Sequence, residues 1–595
     1  MSESSCDNKL LVVLSSSIAD IERTLRSRLR TLSPDGLLLL LLGAWTLLNM
    51  VQATLTGLAN DEAYYWAWAC YGDGRLDWGY YDHPPMVALL VWLTAPLGGT
   101  LGVRLATLLL QPLYLWLFWR TLRPDHATRR QALLYAALCF ALPALQLYGF
   151  LALPDAPLMF FSVLFLYLYK RFLQRQTTTT ALLMGVSMAL LAYSKYHGAL
   201  VVAFALLSNP RLWRSWRLYM AGGVALLLFL PHLVWQYQHD WCSFVYHLSS
   251  RHKGFEIANP LMVFVNLILI ANPLLVWHYT RALFRRPSPH SDTLRDDYLR
   301  TMRWIACGVV LFFLVASLRG STQAQWLLPA VIALVALLAD YMWHNDIPRR
   351  YLTAALCTSA VLFIAARIVT MVAPDWLKGE FWHNEEKYTQ IATLAADRPV
   401  VFTGYSSAAK YAFYTGKACS STPVFYDHPS QWSFRNDDAS FYGHEVVVEQ
   451  SECSLSDTLV LCDGTTFEYR LAPWYRPTAL VRLAAVAPQS VAQLTDTAFD
   501  VQLACYNPYP YDLDYNDADS LRLTAIFRIS QRQQPTSLST TPLHLTAGDT
   551  TIVTAHFVVP HGMPYGTFEL GFCLQPLVGW PPTQSAMLKA EYLRK

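Results

Sequence analysis

Apolar runs of roughly twenty residues recur along this chain, and no other feature limits its fold so strongly. A bilayer core needs about 20 apolar residues per helix. Windows of that kind lie near 36–57, 86–119, 131–148, 155–170, 218–237, 260–280, 304–318, 324–343 and 351–372. The stretch 178–209 is too long for one span and carries Ser194, Lys195 and His197 in its middle. It predicts two short helices meeting at a polar turn, for about eleven spans in all. Composition agrees, since 54% of the 595 residues are hydrophobic and 15% are charged, too apolar a balance for an ordinary soluble chain. Nucleic acid is not implied as a partner by a net charge of +3.

The basic residues are segregated. Arg120, Arg123, Arg129 and Arg130 share one loop, Lys170, Arg171 and Arg175 another, and Arg211, Arg214 and Arg217 a third. Arg281, Arg285, Arg286, Arg295, Arg300 and Arg303 follow, then Arg349 and Arg350. With eleven spans all these loops fall on the side of the amino terminus, and positive charge marks the cytoplasm. The segment 1–35 is then a cytoplasmic lead into an uncleaved first span, and the loop 58–85 and everything after 373 face outward.

The outward loop Asn60 to Val87 holds Asp61, Glu62, Asp73, Asp77 and Asp82 beside a dense set of Tyr and Trp. Carboxylates against hydrophobic spans are costly unless they face water or a working cavity. Outward basic residues break the charge rule locally: Lys195 at the polar turn, Arg251, His252 and Lys253 in the loop 238–259, and Arg319 at a span end. Each either snorkels to lipid headgroups or joins others around a phosphate. Asp155, between Pro154 and Pro157, either caps a helix entering the membrane or lines a cavity with Lys195 and the two loops. The aromatics 64–66, 68, 78, 80 and 81 serve as an interfacial belt, as packing or as sugar platforms.

In order along the chain stand DEAYYW at 61–66, YYDHPPM at 80–86, LPDAPLMFF at 153–161, YSKYHG at 193–198, STQAQWLLPA at 321–330 and YSSAAKYAFYTG at 405–416. This series resembles the GT-C membrane glycosyltransferases, in the grouping that joins dolichyl-phosphate-mannose protein mannosyltransferases with the bacterial aminoarabinose transferase of lipid A. It is similar to the RgtA/B/C/D-like members of families 39 and 83. The resemblance implies a polyprenyl-phosphate sugar as donor, a lipid, glycan or protein acceptor, and inversion at the outer face of the cytoplasmic membrane. No nucleotide is expected, and neither a Walker loop nor a Rossmann fingerprint placed after a strand occurs.

Displacement with inversion needs one carboxylate as general base. Asp61 occupies the family's acidic position, with Glu62 and Asp155 as further catalytic candidates. Lys195, Arg251, His83 and Arg319 are candidates to hold the donor phosphate and to stabilise its leaving charge. His83 stands where the aminoarabinose transferases have Lys, which leaves its role between a proton donor and a metal ligand. Asp82 with His252, or with His247, would bind a divalent metal ion, although no compact ligand spacing such as HExxH is present.

The expected architecture is a mainly α polytopic membrane protein with two outer modules. These are a transmembrane catalytic domain 36–373, an α/β unit 374–474 and a β-sandwich 475–595. Helices at 385–397 and 406–416 and a strand at 400–402 define the second. Alternation in LVRLAAV, FDVQLACY, LRLTAIFRI, TTIVTAHFVV and FELGFCL defines the third. Cys453 and Cys462 are a possible bridge. Two other readings compete with an enzyme. A transporter would carry midplane charges and an internal repeat, and a non-catalytic envelope scaffold would not need the DE, LPD and SK positions.

Overall fold

A computed structural model describes residues 31–593, apart from 73, 251–255, 286–292, 345–348, 373–378, 423, 425–428, 436, 451–455, 515–521, 531–533, 540 and 576–581. Arg251, His252, Lys253, Asp73 and Cys453 lie outside the described residues. The chain forms two compact units. One comprises Met1–Leu55, Pro84–Gln238 and Arg251–Val372, the other Thr56–His83, His239–Ser250 and Ala373–Lys595.

The first unit is helical. Seven of its described helices are long and apolar enough to cross a membrane, and an eighth counts if Ala258–Ala271 and Pro273–Leu283, bent by 91°, form one span. Length and composition therefore account for seven or eight of the eleven expected spans. Three of the apolar stretches are each divided between two helices. Window 86–119 breaks at Gly98 and Gly99, both at positive φ, into Met86–Leu97 and Gly99–Leu122. Window 131–148 divides into Arg129–Phe140 and Pro143–Leu147. The stretch 178–209 is two helices, Thr178–Ser194 and Gly198–Ser208, parted at Lys195.

Leu328–His344 runs through the middle of this unit with nearly every side chain buried. Leu226, Leu227, Leu311, Val361 and Leu362 instead stay exposed on peripheral helices, as a lipid-facing surface requires. Close approach of backbones sets some packing: a Cβ on Gly185 would lie 2.5 Å from Ala221 O of the neighbouring helix Trp216–Gln238.

The basic loops gather at one end of the unit. Asp35 receives Trp119 Nε1 at 2.8 Å and Arg123 at 3.3 Å. Trp119 meets Trp343 edge-on at 5.7 Å, and nearby Asp340 binds Arg295 through two oxygens at 2.7 and 2.8 Å. Asp155, Lys195 and Trp326 lie at the opposite helix ends.

Two arginines that the charge count passes over sit inside the bundle. Arg367 gives Nε to Gln52 Oε1 at 2.5 Å, Nη2 to Asn49 Oδ1 at 2.6 Å and Nη1 to Gln146 Oε1 at 3.2 Å. Arg104 donates to Ala53 O at 3.0 Å, and the two guanidinium groups lie 5.7 and 5.6 Å from the ring of Phe150. Amide oxygens thus solvate the buried charge of Arg367 in place of water.

The second unit carries the strands, in an α/β part and, further along the chain, a sandwich. A five-stranded sheet orders Cys419–Ser421, Val400–Phe402, Val446–Glu449, Thr466–Ala472 and Asp457–Val460, the first three parallel and the rest antiparallel. Helices Asn384–Ala395 and Tyr405–Thr415 pack on one another, and Gly416 closes the latter at φ +66°. The sandwich pairs Ala498–Tyr506 with Thr550–Val558 over nine residues and Arg522–Arg528 with Gly566–Gln575 over seven. Val501, Leu503, Phe527, Phe557, Leu570 and Phe572 fill its core. Each segment read as alternating in the sequence contains a strand among its described residues.

Candidate functional site

In the second unit the helix Asn60–Cys70 carries the DE pair. Its entry is fixed at each main-chain N–H. Gly57 N donates to Phe381 O at 3.0 Å, Leu58 N to the Tyr414 hydroxyl at 2.8 Å, Ala59 N to Glu62 Oε2 at 2.9 Å and Asn60 N to Glu380 Oε2 at 2.9 Å. Glu62 stands at the third helical position and reaches back to the residue before the helix, half of a capping box. Its side chain is fully buried, whereas Asp61 is exposed on the same turn.

Helical spacing turns Tyr64, Tyr65 and Trp68 inward. Trp68 stacks on Tyr80 at 4.4 Å, and Tyr64 contacts Tyr405 at 4.5 Å. Most of the aromatics are therefore core, while Trp78 remains exposed. Around them the YDH segment is pinned on both sides. Tyr81 N donates to Gln431 Oε1 at 2.9 Å, and Gln431 N to the Tyr64 hydroxyl at 2.5 Å. From the segment 239–250, Ser243 donates to Tyr80 O at 2.9 Å and His247 Nε2 meets Asp82 O at 2.8 Å. The rings of His83 and His247 stack at 5.7 Å. Burial, followed by the Asp82 carboxylate, raises the Tyr64 phenol well above its usual range.

The structure thus brings His247 to Asp82 and His83, while the expected ligand His252 lies outside the described residues. His247 spends Nε2 on a main-chain carbonyl, so that nitrogen is a donor there rather than a metal ligand. Among the described residues the group of three suited to a metal is elsewhere, at His383, Glu386 and Cys462. Among the described residues no group of three such ligands gathers at Asp82.

Lys410 stands within the YSSAAKYAFYTG motif. It is buried on the helix Tyr405–Thr415 and donates to Glu380 O at 2.8 Å and Asn384 Oδ1 at 3.3 Å. Burial pulls its ammonium down to about 8, against the opposing pull of Glu380. A lysine amid Ala and Tyr on an otherwise apolar helix face was the available signal.

In the first unit Asp155 opens the helix Asp155–Gln174, and Lys195 Nζ lies 2.8 Å from its Oδ1, each side chain 4% exposed. Capping does not use the Asp155 side chain, since none of its bonds is a cap bond. Next to Lys195, the Tyr196 hydroxyl is 3.0 Å from His232 Nε2 and receives Gln236 Nε2 at 3.1 Å. His197 contacts Trp326 at 5.3 Å, and Tyr148 reaches Gln325 at 3.5 Å. The LPD, SKYH and QAQW motifs therefore converge at one end of the bundle, joined by His232 and Gln236, which the sequence reading passed over. Arg319 is exposed beyond the helix Thr293–Ala316 and takes no part in this ion pair.

Apolar helices of this arrangement with a strand-rich carboxyl-terminal part define an integral membrane protein of the GT-C glycosyltransferase fold. ArnT from Cupriavidus metallidurans superposes at a TM-score of 0.52 with 13% identity, covering 72% of this chain and 97% of ArnT. Its undecaprenyl-phosphate-bound form aligns equally. In sequence, residues 82–235 match the family described as dolichyl-phosphate-mannose-protein mannosyltransferase. The lipid A galacturonosyltransferase RgtD of Rhizobium johnstonii is 27% identical over 314 residues, 51% of this chain and 64% of RgtD. The lipopolysaccharide core galacturonosyltransferase RgtA of the same organism is 26% identical over 355 residues, 56% of this chain and 65% of RgtA. The chain thus spans just under two thirds of the length of these two relatives. The resemblance drawn from the motifs holds in both sequence and fold.

Proposed function

We propose that this protein transfers a sugar from a polyprenyl-phosphate donor to an envelope lipid or glycan at the outer face of the cytoplasmic membrane. The observation that carries this reading is Asp61, a solvent-facing carboxylate on the first turn of a helix whose entry is held at every N–H. In that position it faces the solvent from which an acceptor arrives, whereas the neighbouring Glu62 holds the helix start. The acceptor hydroxyl gives its proton to Asp61 and its oxygen bonds to the anomeric carbon. The bond from that carbon to the phosphate oxygen breaks, the electron pair leaves with the lipid phosphate, and configuration inverts.

Lys195, Arg251, Arg319 and His83 are the cations proposed for the leaving phosphate. Asp155 holds Lys195 by one contact at 2.8 Å, and an ammonium carries three donors. An acceptor of lipid A or core-glycan chemistry is favoured by the two galacturonosyltransferase relatives, and an undecaprenyl-type donor by the ligand of ArnT. A protein acceptor is the alternative suggested by the matching family's description.

Reconstituted protein supplied with undecaprenyl-phosphate sugars and lipid A or core acceptors tests this. Mass spectrometry is expected to show a glycosylated acceptor with wild type and none with Asp61→Asn. Equal product from both would remove Asp61 as base. Cysteine labelling from each side checks the orientation, which fails if residues 58–85 label only from the cytoplasm.

A further inference from the structure

We infer that Lys410, Glu380, Asn384 and Tyr414 form a positioning clamp that sets the orientation of Asp61, so the α/β unit is part of the catalytic machinery rather than a cover. This inference rests on the reading of Asp61 as the base. Four consecutive N–H groups, from Gly57 to Asn60, lead into the helix. Three of them end on residues 380, 381 and 414, and the fourth on Glu62. The carbonyl of Leu58 is held as well, by Asn384 Nδ2 at 3.3 Å.

Lys410 ties these partners together. Its ammonium bonds the carbonyl of Glu380, whose carboxylate holds Asn60 N, and the side-chain oxygen of Asn384, whose amide holds Leu58 O. Asn384 also donates to Glu380 O at 2.8 Å, which closes the ring of contacts. Space is as tightly matched as polarity. A Cβ on Gly57 would stand 2.7 Å from Asn384 Nδ2, 2.9 Å from Phe381 O and 3.0 Å from the Tyr414 hydroxyl. A buried lysine is costly to keep. Here it fixes the one turn of the helix that carries the exposed carboxylate, and a shift of about 1 Å at a reacting group costs roughly 100-fold in rate.

The test uses full-length protein in detergent or nanodiscs and two variants, Lys410→Met and Tyr414→Phe. The second removes a single hydroxyl and leaves the aromatic packing. Hydrogen exchange followed by mass spectrometry is expected to show residues 57–61 exchanging roughly tenfold faster in both, the effect of one lost buried hydrogen bond. The sandwich strands should keep wild-type rates. Turnover is expected to fall roughly tenfold or more in kcat with the donor KM within about threefold, because alignment rather than binding is lost. Unchanged exchange at 57–61 in Tyr414→Phe overturns the clamp. Faster exchange there with unchanged kcat overturns its link to catalysis. If wild type transfers no sugar from any donor supplied, the enzymatic reading fails, while the exchange comparison still decides whether the clamp exists.

Discussion

Lys195 Nζ and Asp155 Oδ1 lie 2.8 Å apart, forty residues apart in sequence, with both side chains almost fully removed from solvent. Breaking a buried pair by removing one partner costs more than replacing both, because the survivor is left charged without compensation. Lys195→Met is expected to destabilise the protein by about 3–5 kcal/mol, and Asp155→Leu combined with Lys195→Met to recover much of that. Thermal unfolding in detergent measures both. A double variant as unstable as the sum of the singles would mean that the pair contributes no coupling.

Asp61 and Glu62 are adjacent yet separable by substitution. Asp61→Asn should lower transfer by about 10²-fold or more with no change in unfolding temperature, as loss of a general base does. Glu62→Gln keeps an oxygen for Ala59 N and should leave activity within about threefold, whereas Glu62→Ala loses the cap at about 1 kcal/mol. Steady-state kinetics beside a melting curve for each variant distinguishes the two roles. Loss of turnover in a stable Glu62→Gln protein would give Glu62 a direct part.

Asp438 is buried where the α/β unit meets the sandwich, with the Tyr509 hydroxyl 3.3 Å from both of its oxygens. Burial raises this carboxyl to about 7, and Tyr509 only partly opposes the rise. The folded state therefore holds a proton that the unfolded chain releases above about pH 4. The stabilisation is present at acid pH and is lost as pH rises toward 7, on the order of 4 kcal/mol in all. Unfolding temperature should fall between pH 5 and pH 8 in wild type and change much less in Asp438→Asn, which should be the more stable protein at pH 8. Parallel profiles for the two would exclude Asp438 as the cause.

Arg367 binds three amide oxygens, each on a different side chain. Arg367→Met would leave Asn49, Gln52 and Gln146 to satisfy those oxygens alone among helices, at about 1–3 kcal/mol for each one stranded. Arg367→Lys should rescue little, since a single ammonium cannot match the planar fork. Resistance to proteolysis and the unfolding temperature are both expected to drop in the two variants, and near-wild-type values for the lysine would refute the fork geometry.

How far the sequence could be read depended on whether a signal was periodic or cooperative. Alternation at Phe499 to Tyr506 and Thr550 to Val559 predicted strands because one face of each is core. The turn at Lys195 was legible from a single polar interruption. Where a helix is merely short or bent, as at Gly98 or Asn272, a hydropathy window registers only apolar length and passes over the break. Asn272 shows why such a bend survives. At φ +82° it donates to Ala141 O at 2.8 Å and to Ser359 at 2.7 Å, satisfactions that exist only in the folded bundle. Arg104 and Arg367 escaped because the charge rule weighs loops, although a lone arginine within an apolar run is itself a signal. The candidate base was visible by position. Its support was not, because Glu380, Asn384 and Tyr414 become neighbours of residue 58 only through tertiary folding.

The entry to the helix that bears Asp61 also dictates an order of assembly. Leu58 leaves the first span early in synthesis, yet the hydroxyl that receives its N–H belongs to a residue 356 positions later. Until that residue has been made and delivered to the same side of the membrane, the turn has no template and the carboxylate no fixed direction. A nascent chain therefore carries its acidic motifs before the turn that presents Asp61 has all of its partners. With Asp61 as the proposed base, activity would arrive late, with the folding of the carboxyl-terminal unit.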